Sequence, residues 1–372
     1  MYSVWTRPDG SRRSRGLGVA LMALVASLAV AACGSSSNST TTGTTSNTSN
    51  TGTSGSASSG STAALKKGLK VYVIPKNLGN NYFTVADSVN TGGALAALQT
   101  LSADGTETSG SAATSASQLP AIQSAIAKGA NALLVSATDP TALCPTLKQA
   151  MARGVTVVTY DSDAPTCRQV MISPASSQSI GASQVDLLAK EIHDTGQIAI
   201  VSAEASATNQ NQWIGYMKQE LHKYPKMQLV SIVYGNDDPT TATQVTSGLL
   251  QHYPKLAGII SPTTVGIAAA AAVIDTPQYR GKVQLTGLGT PLSMKKFVND
   301  GTVKAFELWN PAELGYVGAY AAVSLASKAI TDSSGQSFSA GKYGRFTIGS
   351  DGIVTLGQPL VFTKANIGEF NF

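Results

Sequence analysis

Short apolar runs that alternate with helix-length segments constrain the fold of this chain most. The runs are rich in Val, Ile and Leu. They lie at 71–74, 132–135, 155–160, 198–201, 229–233, 257–260 and 283–286. Strands that are apolar on both faces are typical of parallel sheets covered by helices on each side. The pattern therefore predicts an α/β fold with two parallel-sheet halves, and parallel sheets of this kind bind ligands beyond the carboxyl ends of their strands.

The N-terminal 33 residues have the organisation of an export signal. Arginines precede an apolar run at 17–32, and the sequence Val30-Ala31-Ala32 stands directly before Cys33. Small residues before a cysteine resemble a bacterial lipobox, so we predict a lipoprotein signal peptide over 1–33 with lipidation at Cys33. Ordinary signal cleavage near Ala32 is the alternative. The segment before Cys33 carries four arginines and one aspartate, so its removal lowers the net charge from +5 to +2.

A low-complexity segment follows the predicted signal. Residues 34–62 are almost entirely Ser, Thr, Gly and Asn, with no charged residue. Such a composition cannot bury enough apolar surface to fold, so we interpret 34–66 as a disordered tether. The near-neutral remainder has no clustered basic face, which makes nucleic acid an unsuitable partner. An anchor followed by a tether predicts a protein held at the outer face of a membrane.

Polar and aromatic side chains cluster where the predicted strands end. They lie at 75–76, 161–163, 207–213, 262–264 and 309–311. This inventory of amides, hydroxyls, carboxylates, one lysine and several aromatic rings suits a small neutral polyol, whose hydroxyls need donors and acceptors and whose C–H faces pack on rings. The sequence thus predicts one ligand crevice between the two halves.

Enzyme chemistry is poorly supported by the same residues. His193, His222 and His252 have no second metal ligand four residues on and no nucleophile elbow nearby, so we predict exposed imidazoles and no metal site. No glycine-rich loop has phosphate-binding spacing, so we expect no cofactor. Asp161 and Asp163, two apart on an extended segment, would point to opposite sides and not flank one glycosidic bond. We predict that the protein is not an enzyme.

Six ordered motifs between 69 and 372 resemble one known family. The motifs are Ile74-Pro-Lys-Asn77, Thr159-Tyr-Asp-Ser-Asp163, Ala207-Thr-Asn-Gln-Asn-Gln-Trp213, Ser261-Pro-Thr-Thr-Val-Gly-Ile267, Leu285-Thr-Gly-Leu-Gly-Thr-Pro291 and Leu308-Trp-Asn-Pro311. They are similar to periplasmic-type sugar-binding lipoproteins of ABC importers, in the cluster of rhamnose-binding and autoinducer-2 (AI-2)-binding proteins. The resemblance implies the type I periplasmic binding protein fold, with two Rossmann-like lobes joined by a three-crossing hinge. We expect the N-terminal lobe at 67–172 plus about 310–340, and the C-terminal lobe at 173–309 plus about 341–372.

The choice between the two subfamilies depends on single positions. The AI-2 pattern agrees with this chain at Lys76, Asp161, Gln210 and Pro262, but it has aspartate where Asn209 stands and alanine where Thr264 stands. An amide both donates and accepts hydrogen bonds whereas a carboxylate only accepts, so this exchange alters which hydroxyl array is satisfied. The segments around Asn209 and Thr264 resemble the rhamnose-binding proteins instead. L-rhamnose is therefore the favoured ligand, with a related deoxysugar or AI-2 as alternatives.

The strand-end positions and the resemblance together predict the residues that contact the ligand. They are Lys76, Tyr82, Phe83, Asp161, Asn209, Gln210, Pro262, Thr264, Trp309 and Asn310. Core packing is the alternative for Phe83, and the sequence does not separate Trp309 from Asn310 as the ligand-facing residue. Trp213 could equally pack beneath its own helix, and Asp163 is interpreted as a turn or hinge residue.

Two further predictions concern covalent structure and partners. Cys144 and Cys167 follow adjacent predicted strands, and two cysteines in an extracytoplasmic protein can pair, so we predict a disulfide. The resemblance implies a monomeric receptor, lipid-anchored at the cell membrane, that delivers an unaltered sugar to ABC permease subunits. A sensory sugar receptor that signals through a membrane kinase or chemoreceptor is the alternative of a different class.

Overall fold

The computed structural model describes residues 64–372, in which the chain forms fourteen strands and ten α-helices. The strands are β1 (Lys70–Ile74), β2 (Asp104–Glu107), β3 (Ala132–Val135), β4 (Thr156–Tyr160), β5 (Val170–Ala175), β6 (Thr195–Ser202), β7 (Lys226–Tyr234), β8 (Leu256–Ser261), β9 (Gln284–Gly287), β10 (Ala305–Leu308), β11 (Ser337–Ser339), β12 (Arg345–Thr347), β13 (Ile353–Gly357) and β14 (Leu360–Thr363). The helices are α1 (Asn81–Asp87), α2 (Ala94–Thr100), α3 (Ser115–Ala127), α4 (Pro140–Ala152), α5 (Ser177–Ile192), α6 (Thr208–Glu220), α7 (Pro239–His252), α8 (Thr264–Ile274), α9 (Pro291–Asn299) and α10 (Pro311–Ala326).

Two parallel sheets organise these elements into two lobes. The first sheet has six strands in the order β13-β5-β4-β3-β1-β2, and the second has four in the order β7-β6-β8-β9. All neighbours within each sheet pair in parallel. The predicted α/β fold with two parallel sheets is confirmed, and all seven predicted apolar runs overlap strands of these sheets.

The strands form where they do because helices cover both faces. Every residue of β3 and β4 is buried, as expected for central strands of a parallel sheet. In the first lobe, Ile74 and Leu133 pack with Leu143 and Leu147 of α4 in one apolar cluster. Asp139 caps the first turn of α4 through its carboxylate, and Pro140 occupies the first helical position, where a missing N–H costs nothing.

The chain passes between the two lobes three times. After β5 it enters the second lobe through α5, and after β10 it returns through α10, which packs on β3, β4 and β5. After β13 it passes back to β14, which pairs antiparallel with β10. Trp309 and Asn310 lie on the second of these crossings, directly between β10 and α10.

The last strand of the first sheet differs from the predicted lobe boundaries. The sequence prediction places residues from about 341 onward in the second lobe, but β13 pairs in parallel with β5, with Ile353 opposite Met171. Strand β13 covers an edge of the first sheet whose backbone groups would otherwise lack partners. The first lobe therefore extends to Gly357, and only β14 and the residues after it join the second lobe.

Covalent and membrane features agree in part with the sequence predictions. Cys144 of α4 and Cys167 are joined by a disulfide with a Cα–Cα distance of 5.3 Å. The predicted signal peptide, Cys33 and nearly all of the predicted tether lie outside the described residues. Across residues 64–372 no helix combines the length and the apolar character needed to cross a membrane.

Candidate functional site

A cleft lies between the lobes at the carboxyl ends of both sheets. Its empty volume, counted together with space open to solvent, is about 340 Å³. It is lined by Lys76, Asn80, Tyr82, Phe83, Asp161, Asn209, Gln210, Trp213, Asp237, Pro262, Thr263, Thr264, Leu288, Leu308 and Trp309. Nine of the ten predicted ligand-contacting residues are in this set, although they come from five separate segments of the chain.

Lys76 and Asp161 form the charged centre of the cleft. Lys76 follows β1 and Asp161 follows β4, and Lys76 Nζ lies 3.9 Å from Asp161 Oδ2, with both side chains buried. Burial by itself would lower the pKa of Lys76, but the carboxylates of Asp161 and Glu204 raise it above its ordinary value. Burial raises the pKa of Asp161, and the Lys76 charge opposes that effect. The pair offers a ligand one cationic donor and one carboxylate acceptor.

Asp161 stands in a sharp turn. Its φ is 61°, a left-handed conformation that non-glycine residues rarely adopt. The Ser162 N–H donates to the Tyr160 carbonyl at 2.6 Å, and Ser136 Oγ donates to Asp161 Oδ2 at 2.8 Å. The turn points the carboxylate into the cleft, and the Ser136 hydroxyl holds it in that orientation.

Asn209 and Gln210 reach the cleft from the first turn of α6 in the second lobe. Asn209 Nδ2 lies 3.5 Å from Asp161 Oδ1, and its Oδ1 accepts from Lys76 Nζ at 3.5 Å. Gln210 Oε1 accepts from Ser202 Oγ at 2.5 Å and from the Ala203 N–H at 2.8 Å. These bonds to the end of β6 fix the Gln210 amide, while Asn209 connects the two lobes directly.

Aromatic rings form one wall of the cleft. Trp309 Nε1 donates to Tyr82 Oη at 2.8 Å. Trp309 and Trp213 pack edge to face with centroids 5.9 Å apart, and Phe83 packs in the same manner on Tyr82 at 5.1 Å. The buried ring of Trp213 also lines the cleft. Such a wall can contact the apolar C–H faces of a ligand.

Asn310 is the one predicted contact that does not line the cleft. Its side-chain oxygen accepts from the Ala312 N–H at 3.0 Å and caps the N-terminus of α10. The Asn310 amide is thus used at the start of α10, whereas the Trp309 ring lines the cleft. Pro262 and Thr264 do line the cleft, Thr264 as the first residue of α8.

Asp163 lies beside the cleft in a structural ion pair. Its carboxylate accepts from Arg168 Nε at 3.0 Å and from Thr159 Oγ1 at 2.6 Å. Arg168 Nη1 also donates to the Gly352 carbonyl at 3.2 Å. These contacts connect the Asp161 turn to Gly352, the residue before β13, within the first lobe. The interpretation of Asp163 as a turn or hinge residue stays a prediction.

Two acidic residues near the cleft, Asp237 and Glu204, were not predicted from the sequence. Asp237, with a φ of 47°, lines the cleft and accepts a hydrogen bond from Thr263. Both carboxylate oxygens of buried Glu204 lack a hydrogen-bond partner, and burial together with the Asp237 charge raises the pKa of Glu204 to about 7. Asp237 follows β7 as Lys76 follows β1, and this strand-end position was the signal that could have identified it.

Neither a metal site nor a buried histidine is found within residues 64–372. Between residues 64 and 372, no three His, Cys, Asp or Glu side chains are arranged to hold a metal ion. His193, His222 and His252 are all exposed, as predicted.

Two lobes closing on a polar and aromatic cleft define a ligand-binding protein. A family model described as a periplasmic binding protein domain matches residues 71–329, and the chain belongs to this family. This family of periplasmic binding proteins, together with similar solved structures that include an ABC transporter solute-binding protein, indicates a binding protein and not an enzyme.

Three solved structures resemble the chain over 82% of its length. A sugar ABC transporter protein from Actinomyces odontolyticus is 42% identical with a TM-score of 0.64, covered over 98% of its chain. A solute-binding protein from Clostridium phytofermentas with bound L-rhamnose is 32% identical, with a TM-score of 0.78 and 98% coverage. LsrB from Clostridium saccharobutylicum, in complex with AI-2, is 27% identical, with a TM-score of 0.76 and 100% coverage.

A curated relative is more distant. The D-ribose/D-allose-binding protein of Pseudomonas aeruginosa is 24% identical over 197 residues, which is 51% of this chain. The match spans 61% of the length of that relative.

Proposed function

We propose that this chain is the extracytoplasmic solute-binding lipoprotein of an ABC sugar importer and that its ligand is L-rhamnose. The observation that carries the proposal is the convergence of Lys76, Asp161 and Asn209 from both lobes beside a wall of aromatic rings. A small neutral sugar presents a ring of hydroxyls and apolar C–H faces. The polar residues of the cleft match the hydroxyls, and its aromatic wall matches the C–H faces.

The charged and amide groups account for hydroxyl recognition. The Asp161 carboxylate accepts from sugar hydroxyls, and bonds to an ionised group are about twice as strong as neutral ones. The Lys76 ammonium donates to hydroxyl oxygens, and the Asn209 amide both donates and accepts. No chemical change of the sugar is required of any of these groups.

The choice of L-rhamnose rests on sequence similarity together with the residues that line the cleft. The Clostridium phytofermentas protein with bound L-rhamnose is 32% identical over 98% of its chain. Asn209 and Thr264 both line the cleft of this chain, and they stand in segments that resemble the rhamnose-binding proteins.

AI-2 is the second candidate ligand. Lys76, Asp161, Gln210 and Pro262 agree with the AI-2 pattern and all line the cleft, and LsrB in complex with AI-2 is 27% identical to this chain. Asn209 and Thr264 distinguish the two candidates, because a carboxylate at 209 would only accept hydrogen bonds.

The proposed cycle is capture, closure and release. A sugar that bonds to Asp161 on the first lobe and Asn209 on the second stabilises the closed form, because only that form offers both sets of contacts. A Kd near 1 μM corresponds to about −8 kcal/mol and is a suitable scale for capture followed by release to permease subunits. Lipidation at Cys33 and the tether at 34–66 would hold the receptor at the membrane as a monomer.

Calorimetry on the purified full-length protein tests this proposal. We expect saturable heat with L-rhamnose and a higher melting temperature in its presence, since a ligand bound only by the native state stabilises it. Pentoses, other deoxyhexoses and AI-2 form the comparison panel. Saturation with AI-2 but not with L-rhamnose would select the second candidate, and product formation during incubation would contradict a pure binding role.

Lipidation is tested separately from ligand binding. Metabolic labelling with a radioactive fatty acid should modify the wild-type chain but not the Cys33→Ser variant. Equal labelling of both proteins would contradict the predicted anchor.

A further inference from the structure

A buried hydrogen-bonded pair, Tyr160 and Asp87, lies directly beside the strained turn at Asp161, and neither residue lines the cleft. Tyr160 Oη lies 3.0 Å and 2.9 Å from the two carboxylate oxygens of Asp87, and both residues are fully buried. Tyr160 directly precedes Asp161, so this hydrogen bond holds the residue from which the turn begins. A backbone in a rarely populated conformation persists only when its surroundings fix it.

Asp87 connects this turn to the helix that carries the aromatic wall. It is the last residue of α1, whose first turn carries Tyr82 and Phe83. Tyr82 lines the cleft together with Asp161, and the Phe83 ring packs edge to face on the Tyr160 ring, with the ring centroids 6.1 Å apart. Helix α1 therefore contacts Tyr160, the residue before the turn, through Phe83 near its start and Asp87 at its end.

The pair has features that apolar packing would not require. Burial and the Glu107 charge raise the pKa of Asp87 well above its ordinary value, while the Tyr160 hydroxyl opposes that shift. Replacement of a buried polar pair by apolar side chains of similar shape is often neutral or stabilising. A buried carboxyl at this position thus points to a requirement for a directed hydrogen bond.

We propose that Asp87 is a positioning residue that acts through Tyr160 to set the orientation of Asp161 in the cleft. The inference rests on the proposed sugar-binding function, because the group that it positions is the principal carboxylate acceptor of the site. Asp87 and Tyr160 would then influence ligand affinity without touching the ligand.

The test compares Tyr160→Phe, Asp87→Leu and Asp87→Asn in the full-length protein. Removal of either partner should raise the Kd for L-rhamnose about tenfold, equivalent to about 1.4 kcal/mol. Asp87→Asn keeps a group that can both donate to and accept from the Tyr160 hydroxyl, so it should remain within about twofold of wild type. Tyr320→Phe is the matched control, because it removes a buried hydroxyl bonded to Tyr316 on α10.

A second measurement does not depend on the ligand. The Ser162 N–H closes the turn on the Tyr160 carbonyl, so its hydrogen exchange should be about tenfold faster in Tyr160→Phe than in Tyr320→Phe if the turn opens locally. Unchanged Kd and unchanged Ser162 exchange, with only a lower melting temperature, would overturn the inference. Absence of sugar binding by wild type would refute the proposed function, and the exchange comparison would still decide the role of the pair.

Discussion

Asn209 on the second lobe places its amide nitrogen 3.5 Å from the carboxylate of Asp161 on the first lobe, although the two residues are separated by 48 positions in the chain. The Asn209 bond to Lys76 has the same length, which is at the outer limit of hydrogen bonding. A further link, from Ser206 Oγ to the Thr138 carbonyl, measures 3.2 Å. The direct bonds across the cleft are thus long and weak, so a ligand that bonds to both lobes would contribute most of the stabilisation of closure.

The first prediction concerns the Asp161 carboxylate. Asp161→Asn should raise the Kd for L-rhamnose about 10- to 100-fold, because hydrogen bonds to a charged group contribute about 1.5–3 kcal/mol. Asparagine tolerates the left-handed conformation of this turn, so the fold should be kept. Calorimetry measures the Kd, and exposed Asp332→Asn is the charge-matched control. A Kd for Asp161→Asn equal to that of the control would show that this carboxylate does not contact the sugar.

The second prediction concerns ligand choice. Asn209→Asp should weaken L-rhamnose binding at least about tenfold, because a second carboxylate near Asp161 replaces a donor with a repelling acceptor. Combined with Thr264→Ala, it should shift the preference toward AI-2. Competition calorimetry with both ligands measures the shift. If the double variant retained wild-type preference, these two positions would not determine specificity.

The third prediction concerns the pH dependence of stability. The pKa of Glu204 is raised to about 7 and that of Glu307 to about 8, in each case by burial from an ordinary value of 4.5. A carboxyl with a raised pKa binds more protons in the folded than in the unfolded state. Its contribution is therefore fully present below pH 4.5 and is lost as the pH rises through 7 to 8. We expect a lower melting temperature at pH 8.5 than at pH 5.

The Glu204→Gln variant measures how much Glu204 alone contributes to the pH dependence of stability. The variant should gain stability over wild type at pH 8.5 and gain little at pH 5, with a difference on the order of 3 kcal/mol. Exposed Glu369→Gln is the matched control. Equal effects of Glu204→Gln at both pH values would contradict a raised pKa at this position.

The fourth prediction concerns the disulfide. Cys144 and Cys167 are separated by 23 residues, and closing a loop of this size stabilises the folded state by about 3 kcal/mol in the chain-entropy model. The double variant Cys144→Ser/Cys167→Ser should lose about that much in denaturant unfolding. Cys33→Ser leaves the pair intact and should unfold as wild type does. A double variant as stable as wild type would indicate that the pair is reduced in the protein.

Individual strands show where sequence prediction succeeds and where it fails. Strand β3 was predicted from its four apolar residues, because burial on both faces leaves a continuous apolar run. Strand β2 was missed, because its residues Asp104–Glu107 are largely exposed and contain no apolar side chain. An edge strand that forms mainly through backbone pairing leaves little hydrophobic pattern in the sequence.

The sequence by itself determined the α/β class, the strand ends that supply most of the cleft residues and the family resemblance. These features are local, since hydrophobic periodicity and turn residues act over a few positions. Only the tertiary structure decided that Trp309 lines the cleft while Asn310 caps α10, that β13 joins the first sheet, and that Asp87 bonds to Tyr160. Each of these three outcomes depends on how segments that are far apart in the chain pack together. A local sequence pattern does not show which distant residue a side chain or strand will contact, so only the folded structure decides it.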